Sequence, residues 1–200
     1  MELPKDARAV ILFAHGSGSS RLSPRNRHVA KLLNRAGLGT VLMDLLTAAE
    51  DSDPSLRFDI PLLAERLIEA TSMVRGQSAL PIGYFGASTG AAAALVAASK
   101  LRGEVYAVVS RGGRPDLAGD ALRLVEAPTL LIVGGADRTV LDMNRQAMRQ
   151  MIVQRELKII PGASHLFEEP GALDQVAGMA SEWFTKHLKD QLRPKLHGAG

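Results

Sequence analysis

A chain of 200 residues with 46% hydrophobic content is the size of one ordinary domain and can bury a sizeable core. It has no cysteine, which excludes a disulfide framework, a thiolate metal site and a cysteine nucleophile, and which fits a reducing compartment. The net charge of +3 is carried by Lys186, Lys189, Arg193 and Lys195 against Asp190, so residues 1–185 are neutral overall and imply no acidic partner.

The first eight residues are charged and broken by Pro4, and the apolar run at 9–14 is too short for a signal-peptide core or a membrane span. A soluble cytoplasmic protein is expected, with no membrane partner. Residues 8–14 read as a first strand, followed by the small-residue loop "HGSGSS" and a helix over 24–36 that stops at Gly37. The basic group Arg21, Arg25, Arg27, Lys31 and Arg35 falls mostly on that helix. Without interleaved aromatics it reads as a solvated face, and no nucleic acid is expected. A second strand at 40–44, an acidic turn at 48–56 and a helix over 59–74 come next.

The third strand, 81–85, runs into "GASTG" and a helix over 89–101. A fourth strand at 105–110 is followed by the loop-rich "RGGRPDLAGDALRLVEA", with room for one short helix. A strand at 128–133, a helix over 142–153, a strand at 156–160 and a helix over 171–188 complete the series. Strands alternating with helices predict an α/β fold with a mainly parallel six-stranded sheet, order 2-1-3-4-5-6, and helices on both faces. Residues 1–188 form one domain in this reading, and 189–200 a flexible basic tail. In such a sheet the ligand lies beyond the carboxyl ends of the strands, where "HGSGSS" and "GASTG" meet.

Gly86-Ala87-Ser88-Thr89-Gly90 fits G-x-S-x-G, which carries meaning only between a strand and a helix, where it forces the serine into a sharp exposed turn. Both flanks satisfy that condition. The competing reading is a small-residue turn with a solvated serine. A serine hydroxyl near neutrality needs a base, and usually an acid to orient the base. His187 and His197 belong to the basic C-terminal stretch "KHLKDQLRPKLHGAG", read as a frayed tail, His28 lies inside a helix and His15 is committed to its loop, which leaves His165 in "IIPGASHLFEEPG". Its alternative is a surface loop histidine. The acid is sought on the same sheet edge: Asp137 ends "TLLIVGGAD", while Asp142 is explained more simply as a helix N-cap. The order Ser88, Asp137, His165 is that of strand-turn-helix serine hydrolases. For the oxyanion, the backbone N–H of Thr89 is one donor and that of Ser17 the second, with Gly18 as alternative.

These residues resemble the α/β-hydrolase superfamily, and "HGSGSSRLSPRN", "GASTG", "GGADRTV" and "PGASHLFEEPG" look most like its dienelactone-hydrolase-like branch. The resemblance spans nearly the whole chain. It implies a Ser88-Asp137-His165 triad, an oxyanion loop at His15–Gly18, and cleavage of an ester or related acyl bond with no cofactor and no metal. Dienelactone hydrolases themselves use a cysteine where this chain has Ser88. The elements consume nearly all the residues, so no cap domain and a shallow pocket are expected. The partner expected is a small acyl substrate, with a homodimer left open.

Two rival classes remain. Strand, "GSGSSR", helix and strand ending in Asp44 imitate a dinucleotide-binding unit, yet Arg21 stands where the third glycine belongs. A hydrolase fold without chemistry, serving as a binding module, is the other. Arg111 and Arg114 follow the fourth strand, where an arginine at the crevice would favour a carboxylate-bearing substrate; surface arginines are the competing reading.

Overall fold

The computed structural model describes residues 1–192. Six strands, β1 (Val10–Ala14), β2 (Gly39–Leu42), β3 (Ile82–Ala87), β4 (Val105–Arg111), β5 (Thr129–Gly134) and β6 (Arg155–Ile160), form one sheet in the order β2-β1-β3-β4-β5-β6. Every strand pair is parallel. Glu2 adds an isolated antiparallel bridge to Thr40 at the β2 edge. The order is the one the alternating pattern predicts.

All residues of β1, β3, β4 and β5 are buried, because helices cover both faces, and this is why these strands read as continuous apolar runs. The helices are α1 (Pro24–Arg35), α2 (Ile60–Arg75), α3 (Thr89–Lys100), α4 (Arg138–Gln150) and α5 (Ala172–Leu192). On one face α2, α3 and α4 pack against Val10, Leu12, Tyr84 and Val108. On the other, α1 and α5 pack against Ile11, Phe13, Phe85, Val109 and Ile132. The alanines of α3 favour the helix and keep it slim, so all of it but Val96 and Lys100 sinks into the core behind β3.

Helix starts follow local chemistry. Ser23 caps α1 by accepting the Asn26 N–H, with Pro24 preset for the first turn, and Asp59 caps α2 through the Leu62 N–H. The fourth helix departs from the predicted span of 142–153. It begins at Arg138, because Asp137 accepts the Val140 N–H and Val140 and Leu141 turn inward, and it ends where Met151 becomes extended. Asp142 is therefore no cap; it is exposed within the helix and pairs with Arg145 at 3.0 Å. The last helix also runs past its predicted end at 188, to Leu192. His187 belongs to it and packs against Trp183, with ring centroids 4.3 Å apart. Of the predicted tail, 189–192 is helical and 193–200 lies outside the described residues.

The acidic segment 48–56 folds into short 3-10 turns, at Glu50–Ser52 and Leu56–Phe58. The single short helix expected after the fourth strand is a 3-10 segment, Pro115–Arg123, kinked at Gly119. Register aligns the carboxyl ends: Ala14 pairs with Gly86, Ala87 with Arg111 and Gly134 with Ile160. His15, Ser88, Gly112 and Gly135 therefore emerge side by side along one edge.

Candidate active site

Ser88 follows β3 directly and holds φ +50°, ψ −123°, a backbone state that side chains rarely adopt. The turn exists because strand and helix come too close for side chains on either side of the serine. A Cβ on Gly90 would stand 2.2 Å from the Ala14 carbonyl oxygen, and one on Gly86 2.4 Å from Ala91 Cα. The Ser88 carbonyl accepts N–H groups from Ala91 and Arg114, at 3.1 Å each, which fixes the turn from behind. Ser88 itself is half-buried on the edge.

His165 lies beyond β6. One of its ring nitrogens, Nδ1, stands 2.7 Å from Asp137 Oδ2, and the other carboxylate oxygen accepts the Val140 N–H at 3.3 Å. One carboxylate thus caps α4 and holds the imidazole. With Nδ1–H donating to Asp137, Nε2 is left as the proton acceptor. Ser88 and His165 each adjoin the end of β4: the Ser88 N–H points to the Arg111 carbonyl at 3.4 Å, and a Cβ on Gly112 would stand 3.7 Å from His165 Cε1. The Ser88 hydroxyl makes no hydrogen bond to the imidazole here.

The other wall is the His15–Gly18 loop. His15 is buried, and its Nε2 accepts the Leu45 N–H at 3.1 Å, so Nδ1 carries the proton and faces the Gly16 carbonyl at 3.0 Å. Both nitrogens serve the loop. A Cβ on Gly16 would stand 2.8 Å from Ser88 Cβ, so the loop lies directly on the elbow. The Ser17 N–H donates to Thr89 Oγ1 at 3.0 Å, and Thr89 opens α3, where first-turn N–H groups have no partner within the helix. Beside these residues the surface dips into a notch of about 10 Å³, with Leu46, Leu63 and the Asp51–Arg57 ion pair among its walls. A far larger groove of about 790 Å³ lies at the β2 edge, lined by Met1, Arg27, His28, Lys31 and Leu42, away from Ser88.

The two arginines of "SRGGRPD" part company. Arg114 folds back on Asp116, with Nη2 to Oδ2 at 2.7 Å. Arg111 is no surface residue: it is the last residue of β4, 8% exposed, and reaches α1, where Nη2 stands 3.4 Å from Asn26 Oδ1. Burial, with Arg25 nearby, pulls its guanidinium down to about 10. Asp44 lies just past β2 and binds the backbone and side chain of Arg21, a structural role. No group of three or more His, Cys, Asp or Glu side chains among the described residues is arranged to hold a metal ion. None of their helices is long and apolar enough to cross a membrane.

The model for the dienelactone hydrolase family matches residues 38–192. The chain belongs to that family. A dienelactone hydrolase from Anabaena variabilis ATCC 29413 is 57% identical, with a TM-score of 0.89 over 92% of this chain and 88% of that one. Est1E from Butyrivibrio proteoclasticus shares the fold at 15% identity, with a TM-score of 0.79 over 94% of this chain and 93% of its own. A Mycobacterium tuberculosis (strain H37Rv) protein named "Putative phosphoribosyl transferase" is 56% identical over 191 residues. Those residues are 94% of this chain and 43% of that protein, so the chain spans less than half the length of its curated relatives.

Proposed function

We propose that the chain is a serine hydrolase that cleaves small carboxylic esters or thioesters through an acyl-enzyme on Ser88. The observation that carries this reading is the strained Ser88 elbow on the same sheet edge as the Asp137–His165 pair. His165 Nε2 takes the serine proton as Oγ attacks the substrate carbonyl, and Asp137 stabilises the imidazolium that forms. The tetrahedral oxyanion is held by the Thr89 N–H and by the Ser17 N–H, which exchanges Thr89 Oγ1 for the oxyanion. Collapse expels the alcohol or thiol, which takes the proton from His165. Water then repeats the sequence on the acyl-serine and releases the acid.

The notch beside Ser17 and Thr89 holds little more than one water-sized group, which supports a short acyl chain. Each further CH₂ left in water forgoes about 0.8 kcal/mol, so kcat/KM for p-nitrophenyl esters should peak at about two to four acyl carbons. The name carried by the mycobacterial relatives describes proteins more than twice as long as the segment they share with this chain.

The test is fluorophosphonate labelling with mass-spectrometric site mapping, followed by an ester and thioester panel. Label on Ser88, and a loss of turnover of about 10⁶-fold in a folded Ser88→Ala variant, are expected. Absence of label, or full activity in pure Ser88→Ala protein, would overturn the reading.

A further inference from the structure

The notch beside Ser17 and Thr89 shares three of its walls with a larger cavity. His15, Leu46 and Asp51 line the notch, and the same residues line a space of about 460 Å³ that continues past Ser19, Ser20, Thr47 and Ala48. The two spaces therefore lie on either side of one partition. Arg57 lines only the notch, where its guanidinium grips Asp51 twice, Nε donating to Oδ1 at 2.9 Å and Nη2 to the main-chain carbonyl at 2.6 Å.

This partition is held differently from the core beneath it. None of residues 47–59 is fully buried, so apolar packing contributes little and the segment hangs on polar ties. The Thr47 N–H donates to Glu50 Oε2 at 2.8 Å and the Glu50 N–H to Thr47 Oγ1 at 3.2 Å, while Arg66 on α2 holds Glu50 Oε1 at 3.0 Å. The grip of Arg57 on Asp51 spans the segment, from its second 3-10 turn to its first. A segment with so few buried apolar contacts opens at low cost once such a tie is cut. Leu46 and Leu63, both buried, stay behind as an apolar floor.

In the proposed reaction the leaving group must lie where His165 can protonate it, and no residue of the His165 loop lines the notch. The notch is thus on the acyl side of the Ser17 and Thr89 N–H groups. We propose that the Asp51–Arg57 pair is the stop of the acyl pocket: it seals the notch from the cavity behind it and so determines which acyl chains are accepted. This assignment rests on the hydrolase reading of Ser88 and His165.

The test, on the intact chain, is the ratio of kcat/KM for p-nitrophenyl hexanoate to that for p-nitrophenyl acetate. A ratio cancels changes in the chemistry common to both esters. It should lie below one in the natural chain, where the notch leaves the added carbons in water. In Arg57→Ala it should rise about 15-fold, since each buried methylene is worth about fourfold and two of the four added ones reach the opened space. Arg57→Met, which keeps a long side chain but cannot grip a carboxylate, should give a smaller rise and covers the case in which Arg57→Ala does not fold. Adding Ala48→Trp, which fills the cavity behind the partition, should cancel the gain in either variant. A packing defect near the site would lower both rates without favouring the longer ester.

Hexanoate cleaved as well as acetate by the natural chain, or an unchanged ratio in the folded Arg57 variants, would overturn the acyl stop and leave the hydrolase reading standing on acetate cleavage. A rise that survives Ala48→Trp would overturn it too, because the longer chain would then lie elsewhere. No cleavage of acetate by the natural chain, together with no label on Ser88, would overturn the hydrolase reading and the acyl stop with it.

Discussion

The β3–α3 elbow and the loop between β6 and α5 carry Ser88 and His165, the proposed nucleophile and base, and they are held by different balances of force. At the elbow, backbone meets backbone so closely that Gly86 and Gly90 leave no space for a Cβ. The β6–α5 loop also touches backbone, with the Ala163 and Ser164 carbonyls against Gly134 and the His165 carbonyl against Gly112, and Phe167 anchors it in the α1/α5 core. The side chain of His165 and the turn before it are oriented by polar contacts, His165 to Asp137 at 2.7 Å and the Ser164 N–H to Glu169 at 2.9 Å. A nucleophile set by packing keeps its place under any conditions that leave the core intact. An imidazole oriented by hydrogen bonds and charge keeps its orientation only while those groups keep their protonation.

The strongest way to break the polar side is at Asp137. Asp137→Asn keeps an acceptor for the Val140 N–H, so α4 stays capped, but the amide no longer fixes the imidazole tautomer. Turnover should fall about 10⁴-fold with little change in urea midpoint. Asp137→Ala should lose about 1 kcal/mol of stability as well, and Asp142→Asn, which removes only an exposed pair, should change neither by more than about 0.5 kcal/mol. Steady-state kinetics with urea melts on the three variants separate these effects. A large kinetic loss at Asp142 would reverse the assignment.

The packing side breaks at Gly90. An added Cβ meets the Ala14 and His15 carbonyl oxygens at 2.2 and 2.4 Å, and backbone cannot step aside as a side chain can. Gly90→Ala should cost about 3 kcal/mol or more, at the upper end of overpacking. Gly162 gives the contrasting case. Its φ of +74° strains any other residue, but a Cβ there meets nothing within 4 Å, so Gly162→Ala should cost only about 1–2 kcal/mol. Equal losses at the two positions would erase the distinction.

The same contrast explains what could be read from the sequence. Strand order and the elbow follow from buried apolar runs and from glycines demanded by close packing, which leave a local signature. Asp137 and His165 were legible as residues just past strands. The start of α4 was not, because Thr139 and Val140 are weak helix formers and the cap that overrides them is a single side-chain bond. His187 sits among charged residues in "KHLKD" and reads as tail. Its helical spacing from Val176, Ala180, Trp183 and Phe184 carries it to the apolar face of α5. Arg111 and Arg114 look alike in "SRGGRPD". The β4 register alone makes Arg111 the last strand residue, two beyond Val109 of the α1/α5 core, and so turns it inward.

The smallest effect expected is the one that tests the polar loop most directly. Glu169 accepts the Ser164 N–H, one residue before His165, and its carboxyl is held below the ordinary 4.5 first by its own backbone N–H and then by that of Ser164. A carboxyl whose folded-state value is lowered stabilises the fold above the unfolded value, and that contribution disappears as pH falls through the folded one. Glu169→Gln keeps an acceptor oxygen but removes the charge. Its urea midpoint should lie slightly below that of the natural chain at pH 7, and the gap should close as pH drops below about 4.5. The deficit of Gly90→Ala, which involves no titrating group, should stay constant over the same range. A Glu169→Gln gap that ignores pH would mean that the loop before His165 is held by packing after all, and the two halves of the site would then differ only in sequence.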